Sequence, residues 1–413
     1  MESAVYESTV TRPRVVKSQT LVSSRMSITL NAIRCMNPVR QFELLGLDLE
    51  ELTRLSLEWG QPEFRGRQMF EALYHQRIAS VENISTLPAA FRQLLGEKSS
   101  LGLPELEHRF VAADGTVRYL IGFSDGQSVE TVWMPEGDGG EAGDGSEAGE
   151  MASPRTRRWE RATICVSSQV GCAVDCQFCL TALLGVKRNL TAGEIVGQVC
   201  AVLNDQGVFP PNDRVNLVFM GMGEPFLNYD NFIKAVRLLV DGVGIPESRM
   251  TVSTAGVVPR IHDLGTEPVR PKLAISLNAP NDELRSRIMP LNRKWNLEKL
   301  LAAAREFPLR SREKLTFEYV LLNRVNDQPE HARELGALIR GLRAKVNLIA
   351  FNPGPGIEFE TPANDRVEQF RRILTGCGIP AFVRRPRGRD IYAACGQLKR
   401  TLEPAPTSTA ESA

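Results

Sequence analysis

Long hydrophobic runs and a surplus of charge of either sign are missing from this 413-residue sequence. No stretch approaches the ~18 consecutive apolar residues of a membrane-spanning helix, so we expect a soluble protein without a membrane partner. Lys and Arg number 50, and Asp and Glu number 49. This balance excludes a uniformly basic nucleic-acid coat and an acidic disordered tail protein, but it permits a local basic site.

Histidine is scarce, with four residues, and the eight cysteines do not form a disulfide framework. Three cysteines fall within eight residues, and the overall density is too low for a small secreted domain stapled by disulfides. No apolar stretch near the N-terminus resembles a secretory signal. We therefore expect a reducing compartment, the cytoplasm, where clustered thiols bind metal or react.

Composition divides the chain into segments. Residues 1–40 carry six basic and two acidic side chains and ten Ser or Thr, which predicts a disordered extension and is also typical of an organelle transit peptide. Residues 41–105 show helical periodicity and predict a small accessory domain of three helices. The Pro-, Ser- and Thr-containing residues 401–413 predict a disordered tail.

Residues 106–161 switch to an alternating pattern that predicts a β-hairpin extension. Asp114-Gly115 is a hairpin turn signal between two of its strands. The Gly-rich segment 137–158 predicts a flexible surface insertion. Because strand-like sequence flanks this insertion on both sides, we place it inside a hairpin and not at a domain boundary.

Short apolar runs alternate with helical patterns over residues 162–400, which we take as the core domain. The predicted buried strands are TICVSS, VNLVFM, MTVSTA, KLAISL, LTFEYVLL and KVNLIAF. Six strand–helix units in series predict an α/β fold whose parallel sheet closes toward a partial (β/α)6 barrel. Functional side chains of such barrels gather at the carboxyl ends of the strands.

The string GCAVDCQFC carries the strongest chemical signal, with Cys172, Cys176 and Cys179 on one short loop. Thiolates are the normal ligands of iron–sulfur clusters, and three of them hold a [4Fe-4S] cluster while one iron stays open for a substrate. The alternatives are a three-cysteine zinc site or packed core thiols. Zinc usually takes four ligands, and no histidine or cysteine follows the triplet at that spacing.

The CxxxCxxC triplet at the end of a first barrel strand resembles the radical S-adenosylmethionine superfamily. Polar sets follow the later predicted strands in the segments GMGEP, STAG, SLN and NP. The resemblance implies that S-adenosylmethionine binds at the open iron. It assigns the contacts to Gly223, Glu224, Ser253, Ser276, Leu277, Asn278 and Asn352.

A narrower resemblance covers residues 42–398. The strings VETVWMP, RATICVSSQVGC, FMGMGEP, STAGVVP, AISLNAPND, VNLIAFNP and AACGQL are similar to radical methyltransferases that act on an adenine of 23S ribosomal RNA. One branch methylates adenine carbon 2 and also modifies transfer RNA, and the other methylates carbon 8 and confers antibiotic resistance. The Val170-Gly171 context and the helical N-terminal piece are more like the C2 branch. Asn278 departs from the family, which has His in this segment.

The resemblance also implies catalytic roles. Cys395 receives a methyl group from one S-adenosylmethionine and delivers it to the base, and a second S-adenosylmethionine yields the radical. Cys165 resolves the protein–RNA adduct by forming a transient disulfide with Cys395, and Glu130 accepts the ring proton. Without the resemblance, each thiol is equally well interpreted as an inert core cysteine. Glu130 would then be interpreted as a solvated strand residue.

The implied partners are 23S rRNA, tRNA and an electron donor such as flavodoxin or ferredoxin, and we expect a monomer. The basic stretch at residues 384–389 predicts phosphate contacts beside Cys395. Three rival interpretations stay open: a C8 methyltransferase, a different radical enzyme such as one that activates another protein, and a non-catalytic RNA-binding protein stabilised by a metal.

Overall fold

The computed structural model describes residues 42–136 and 161–398. The predictions for residues 1–40, for the insertion at 137–158 and for residues 401–413 lie outside these ranges.

The N-terminal part is a set of short helices closed by a two-stranded parallel sheet. Its elements are β1 (Phe42–Glu43), α1 (Leu49–Glu58), α2 (Phe64–Phe70), α3 (Ala89–Lys98) and β2 (Ser99–Ser100). Helix α1 starts at a capping box, since Asp48 and Glu51 each accept a backbone N–H of the other. The buried Tyr74 hydroxyl accepts from Gly46 N (2.8 Å) and donates to Leu47 O (2.7 Å), which fixes the chain entering α1.

Ten further strands form one sheet in the order β14-β13-β12-β11-β10-β9-β6-β5-β4-β3. Their bounds are β3 (Glu105–Val111), β4 (Val117–Gly122), β5 (Ser128–Glu136), β6 (Arg161–Cys165), β9 (Val215–Phe219), β10 (Met250–Thr254), β11 (Lys272–Ser276), β12 (Leu315–Leu321), β13 (Ala344–Ala350) and β14 (Ala381–Arg384). Within this sheet β6 and the strands from β9 to β14 pair in parallel, and β3, β4 and β5 extend them as antiparallel strands. A separate ribbon pairs β7 (Gln169–Gly171) with β8 (Val186–Asn189).

Helices link the parallel strands and cover the sheet. They are α4 (Ala192–Gln206), α5 (Tyr229–Leu238), α6 (Val258–Thr266), α7 (Asp282–Ile288), α8 (Leu297–Glu306), α9 (Pro329–Leu338) and α10 (Asn364–Gly376). The predicted α/β class, with its partial barrel, helical N-terminal part and hairpin extension, is confirmed. No helix within the described ranges is both long and apolar enough to span a membrane.

The barrel interior is polar because the strands alternate. Across the sheet Ser276 lies opposite Glu318, and Glu318 lies opposite Asn347, so the three side chains share one face. The intervening residues, such as Ile275 and Phe317, are fully buried in the hydrophobic core. An apolar outer face against the helices and a polar inner face are what a site inside the barrel requires.

The antiparallel extension joins the barrel through β5 and β6, with Glu136 opposite Arg161. The Gly-rich insertion therefore connects two strands of one hairpin. At the same end of the extension, Asp114 and Gly115 lie in the turn between β3 and β4, and Gly115 has a φ of +82°, which suits glycine.

Candidate active site

The three cysteines of the triplet lie on a tight loop that follows β7. Cys172 N donates to Gly185 O (3.2 Å) across the β7–β8 ribbon, and Cys179 N donates to Cys176 O (3.1 Å). All three are half-buried free thiols. They pack against a separate apolar cluster made of Val174, Phe178, Ala255, Ala279, Leu284, Ile288, Met289, Leu322 and Phe351.

These surroundings fit an iron–sulfur cluster. Burial raises the pKa of the Cys172 thiol to about 12 and that of Cys176 well above its ordinary value, and in each case neighbouring thiols add to the effect. Three thiolates held together in an apolar pocket need a positive partner, and iron supplies it. In the described ranges, no three His, Cys, Asp or Glu side chains are close enough for one metal ion. A four-iron cluster sets a wider spacing, because each thiolate binds a different iron.

Gly223 and Glu224 lie at the carboxyl end of β9. Gly223 has a φ of +97°, and a Cβ there would stand 2.7 Å from Gln169 N, so only glycine fits. The Glu224 carboxylate is buried and accepts from Ala255 N (2.7 Å) and Phe226 N (3.0 Å). Burial raises the pKa of Glu224 to about 7, although these hydrogen bonds oppose the shift. Glu224 thus connects the ends of two neighbouring strands.

The next strand ends meet at Ser253 and Ser276, whose hydroxyl oxygens are 3.2 Å apart. Sequence reasoning missed Arg285, a fully buried residue of α7 beneath them. Its guanidinium donates to Leu277 O (3.0 Å), Ser276 O (3.1 Å) and Ala255 O (2.7 Å). Nothing in the polar string NDELRSR distinguishes this arginine from its exposed neighbours.

Asn278 uses both ends of its amide inside the protein. Its Oδ1 accepts from Val320 N (2.8 Å) and its Nδ2 lies 3.1 Å from Met289 Sδ. Its φ is +59°, a left-handed conformation that asparagine adopts more readily than most residues. These contacts give Asn278 a local reason to be present, besides the cofactor contact expected from the resemblance.

The Cys395 loop, residues 388–398, is held directly against the cysteine triplet. Leu180 N donates to Gly396 O (2.8 Å), and Thr181 Oγ1 donates to Leu398 O (2.7 Å). Asn352 Nδ2 donates to Cys395 O (3.3 Å). The predicted cofactor residue Asn352, the triplet loop and Cys395 are therefore brought together.

Cys165 lies within electrostatic range of Cys395. Cys165 is buried at the end of β6, and burial together with the charge of Cys395 raises its pKa well above the ordinary value. Cys395 is accessible to solvent. The protein around its sulfur nevertheless removes part of the hydration of the thiol, and this desolvation raises its pKa. Arg384 opposes that shift in the Cys395 pKa and Glu318 adds to it.

Glu130 lies on β5 and is fully buried. The alternative interpretation from sequence, a solvent-exposed strand residue, is therefore wrong. Glu130 pairs with the equally buried Arg118 of β4. Ser167 Oγ donates to Glu130 O (2.6 Å), so the pair adjoins the end of β6, two residues beyond Cys165. An arginine within the apolar run VRYLIG was the one sequence signal for this pair.

The basic stretch lies beside Cys395. Arg385 and Arg389 are exposed, while Arg384 and Arg387 are half-buried. Arg389 Nε donates to Asn352 Oδ1 (2.9 Å), so it also orients the amide that contacts Cys395.

Comparison with known proteins agrees with this geometry. Residues 166–336 match the Radical SAM superfamily. The chain is 64% identical over 343 residues to the probable dual-specificity RNA methyltransferase RlmN of Koribacter versatilis, covering 83% of this chain and 97% of the relative. It is 42% identical over 375 residues to the dual-specificity RNA methyltransferase RlmN of Paracoccus denitrificans, covering 87% and 90%.

A solved structure is similar throughout its length. The crystal structure of a radical SAM methyltransferase from Sphaerobacter thermophilus matches with a TM-score of 0.77 and 41% identity, covering 87% of this chain and all of that one. Because a relative 64% identical is covered almost completely, the match extends to the whole enzyme and not to the barrel alone. The chain belongs to the RlmN family of radical S-adenosylmethionine RNA methyltransferases.

Proposed function

We propose that this enzyme methylates carbon 2 of one adenine in the peptidyl transferase centre of 23S rRNA and of an adenine next to the anticodon in tRNA. The observation that carries the proposal is the hydrogen bond from Leu180 N to Gly396 O, which holds the triplet loop against the Cys395 loop. It keeps a methyl-carrying thiol next to the cofactor that would load it. The relatives named dual-specificity RNA methyltransferase RlmN support the substrate class.

The reaction needs radical chemistry because carbon 2 of adenine is electron-poor and offers no nucleophile to a sulfonium methyl group. When bound, the [4Fe-4S] cluster and S-adenosylmethionine supply a one-electron reduction and a 5′-deoxyadenosyl radical. In the proposal Cys172, Cys176 and Cys179 hold the cluster. The strand-end contacts for S-adenosylmethionine come from Gly223, Glu224, Ser253, Ser276, Leu277, Asn278 and Asn352.

Three side chains have proposed chemical roles in the barrel. The Cys395 sulfur carries the methyl group to the base, Glu130 accepts the ring proton, and Cys165 displaces the base from Cys395 by forming a disulfide. The electrostatic effect of Cys395 on Cys165 supports the last step, since exchange requires the two sulfurs to come together. Arg118 forms an ion pair with the Glu130 carboxylate and orients it.

RNA binding is proposed at the exposed arginines beside Cys395, where phosphate contacts would bring an unstacked adenine to the barrel mouth. The helical N-terminal part is a second proposed RNA contact. The proposed enzyme acts in the cytoplasm as a monomer and takes its electrons from a flavodoxin or a ferredoxin.

The test is anaerobic reconstitution with iron and sulfide, followed by incubation with methyl-labelled S-adenosylmethionine and 23S rRNA fragments or tRNA. We expect label on the peptide containing Cys395 and then on carbon 2 of adenine after digestion of the RNA. Cys395→Ala should abolish both signals, whereas Cys377→Ala, which removes an exposed thiol at the end of α10, should change neither.

Two outcomes would overturn the proposal. Labelled RNA together with protein that is never labelled would exclude the covalent relay through Cys395. Label on carbon 8 would assign the chain to the other chemical branch.

A further inference from the structure

The turn between β3 and β4 contacts the Cys395 loop through two reciprocal hydrogen bonds. Gly388 N donates to Asp114 Oδ2 (3.1 Å), and Ala113 N donates to Asp390 Oδ2 (3.1 Å). We call this pair the turn–loop contact. It joins the outer hairpin of the antiparallel extension to residues just upstream of Cys395.

Local sequence shapes both sides of the turn–loop contact. The second carboxylate oxygen of Asp114 accepts from Thr116 N (2.9 Å), so one side chain closes its own turn and also binds the loop. Gly388 has a φ of +58°, and a Cβ there would lie 2.7 Å from Ala393 Cβ and 2.9 Å from Thr116 Cγ2. Glycine is therefore needed for the backbone to approach the hairpin.

The contact leads to Cys395 through a short, strained stretch. Gly388 O accepts from Ala393 N (2.8 Å), which closes a helical turn over residues 389–391. Tyr392 has a φ of +54°, a left-handed conformation that is costly for a bulky residue and persists where surrounding contacts fix it. Beyond Cys395, Gly396 O is held by Leu180 N. The thiol thus lies between two anchors, one on the hairpin and one on the triplet loop.

We propose that the β3–β4 turn is a clamp that holds the Cys395 loop in its working position, and that Asp114 is a positioning residue acting through the Gly388 amide. The clamp rests on the proposed role of Cys395. It also gives the antiparallel extension a function, since the same three strands carry the pair Arg118–Glu130. The extension would then set the methyl carrier and the proton acceptor relative to one another.

Asp114→Asn is the sharpest variant. The amide oxygen still accepts from Thr116 N and preserves the turn, but the amide nitrogen faces Gly388 N and cannot accept from it. In the full chain without cofactor, we expect amide hydrogen exchange in residues 388–398 and alkylation of Cys395 by iodoacetamide to rise about tenfold, the effect of losing one hydrogen bond to a charged group. Alkylation of Cys377 serves as the internal reference.

In the reconstituted enzyme, Asp114→Asn should lower kcat for RNA methylation several-fold while KM for RNA stays within about twofold, because the variant moves the thiol and removes no cationic side chain. Glu107→Gln is the matched control, since it removes one negative charge from β3 at the end away from the turn. It should match the wild type in exchange, alkylation and kinetics.

Asp390→Ala removes the acceptor of the other hydrogen bond from the exposed loop side and serves if Asp114→Asn does not fold. The double variant loses both hydrogen bonds, so amide exchange in residues 388–398 should be at least as fast as in either single variant. Folded variants with wild-type exchange in residues 388–398 would overturn the clamp. Wild-type protein that never carries label on Cys395 would instead overturn the proposed function and leave the exchange result standing.

Discussion

Glu130 illustrates at the scale of one residue how chemistry and stability are joined. Its carboxylate and the Arg118 guanidinium are both completely buried, and Arg118 also lies over the Phe110 ring at 4.3 Å. Two buried charges are tolerated together, but neither is tolerated alone. A loss of activity on changing Glu130 therefore has two sources, unfolding and the loss of the proposed proton acceptor.

Glu130→Gln is expected to lower the free energy of unfolding by about 3–5 kcal/mol, because it removes the carboxylate charge that is paired with the buried Arg118 guanidinium. Chemical denaturation measures this loss. Adding Arg118→Met should recover most of the stability without recovering RNA methylation, since the proposed proton acceptor is still absent. Full methylation by the stabilised double variant would remove Glu130 from the reaction.

Gly223→Ala is expected to be more damaging than Gly207→Ala. Both positions have positive φ, but a Cβ at Gly207 meets nothing within 4 Å, whereas at Gly223 it would lie 2.7 Å from Gln169 N. Gly207→Ala should lose about 1–2 kcal/mol from backbone strain alone. Gly223→Ala should lose more and bind S-adenosylmethionine more weakly by calorimetry. Equal losses in unfolding free energy would contradict a close approach at Gly223.

Residues whose role depends on chain spacing could be predicted, and residues whose role depends on a distant neighbour could not. The cysteine triplet is local, so its spacing alone pointed to a cluster. Arg285 matters because carbonyl groups of two other strand ends converge on it, and no local pattern contains that fact. The burial of Glu130 follows similarly from the strand beside it.

At the scale of elements, apolar runs predicted the six buried strands, while β14 was missed. It is four residues long, AFVR, and three of them are only half-buried, so it lacks the continuous apolar run of a central strand. Helices α6 and α7 have only nine and seven residues and few apolar positions, so their own periodicity is weak. Their position is set by packing on the sheet more than by their own periodicity.

The connection between β5 and β6 offers a test at this scale. Since Glu136 and Arg161 are opposite one another, replacing residues 137–160 by Asn-Gly should close the two strands as a two-residue hairpin. We expect the free energy of unfolding to rise by up to about 2 kcal/mol, because a shorter loop loses less entropy on closure. Thermal unfolding and RNA methylation measure the outcome. A tenfold loss of methylation in the folded variant would assign the insertion a part in the reaction.

At the scale of the whole molecule, a chain with almost no net charge binds RNA only if its cationic side chains are concentrated on one part of the surface. The carboxyl ends of the strands, the cysteine triplet and the exposed arginines beside Cys395 lie at one end of the barrel. Helices that follow parallel strands run back to the other end, so the C-termini of α8 and α9 lie away from the site. This geometry separates arginines proposed to bind phosphate from those that only solubilise the surface.

Arg385→Gln together with Arg389→Gln removes the two exposed arginines of the stretch and should weaken RNA binding. The slope of log affinity against log salt should fall by about 1.4–1.8, because two fewer phosphate contacts release fewer counterions on binding. Arg305→Gln with Arg340→Gln is the matched control, which removes two exposed charges near the C-termini of α8 and α9. Binding titrations of a 23S rRNA fragment at several salt concentrations give both slopes. Equal slopes of log affinity against log salt for the two double variants would mean that the arginines beside Cys395 contribute no more to binding than any other surface charge. The RNA must then be held elsewhere.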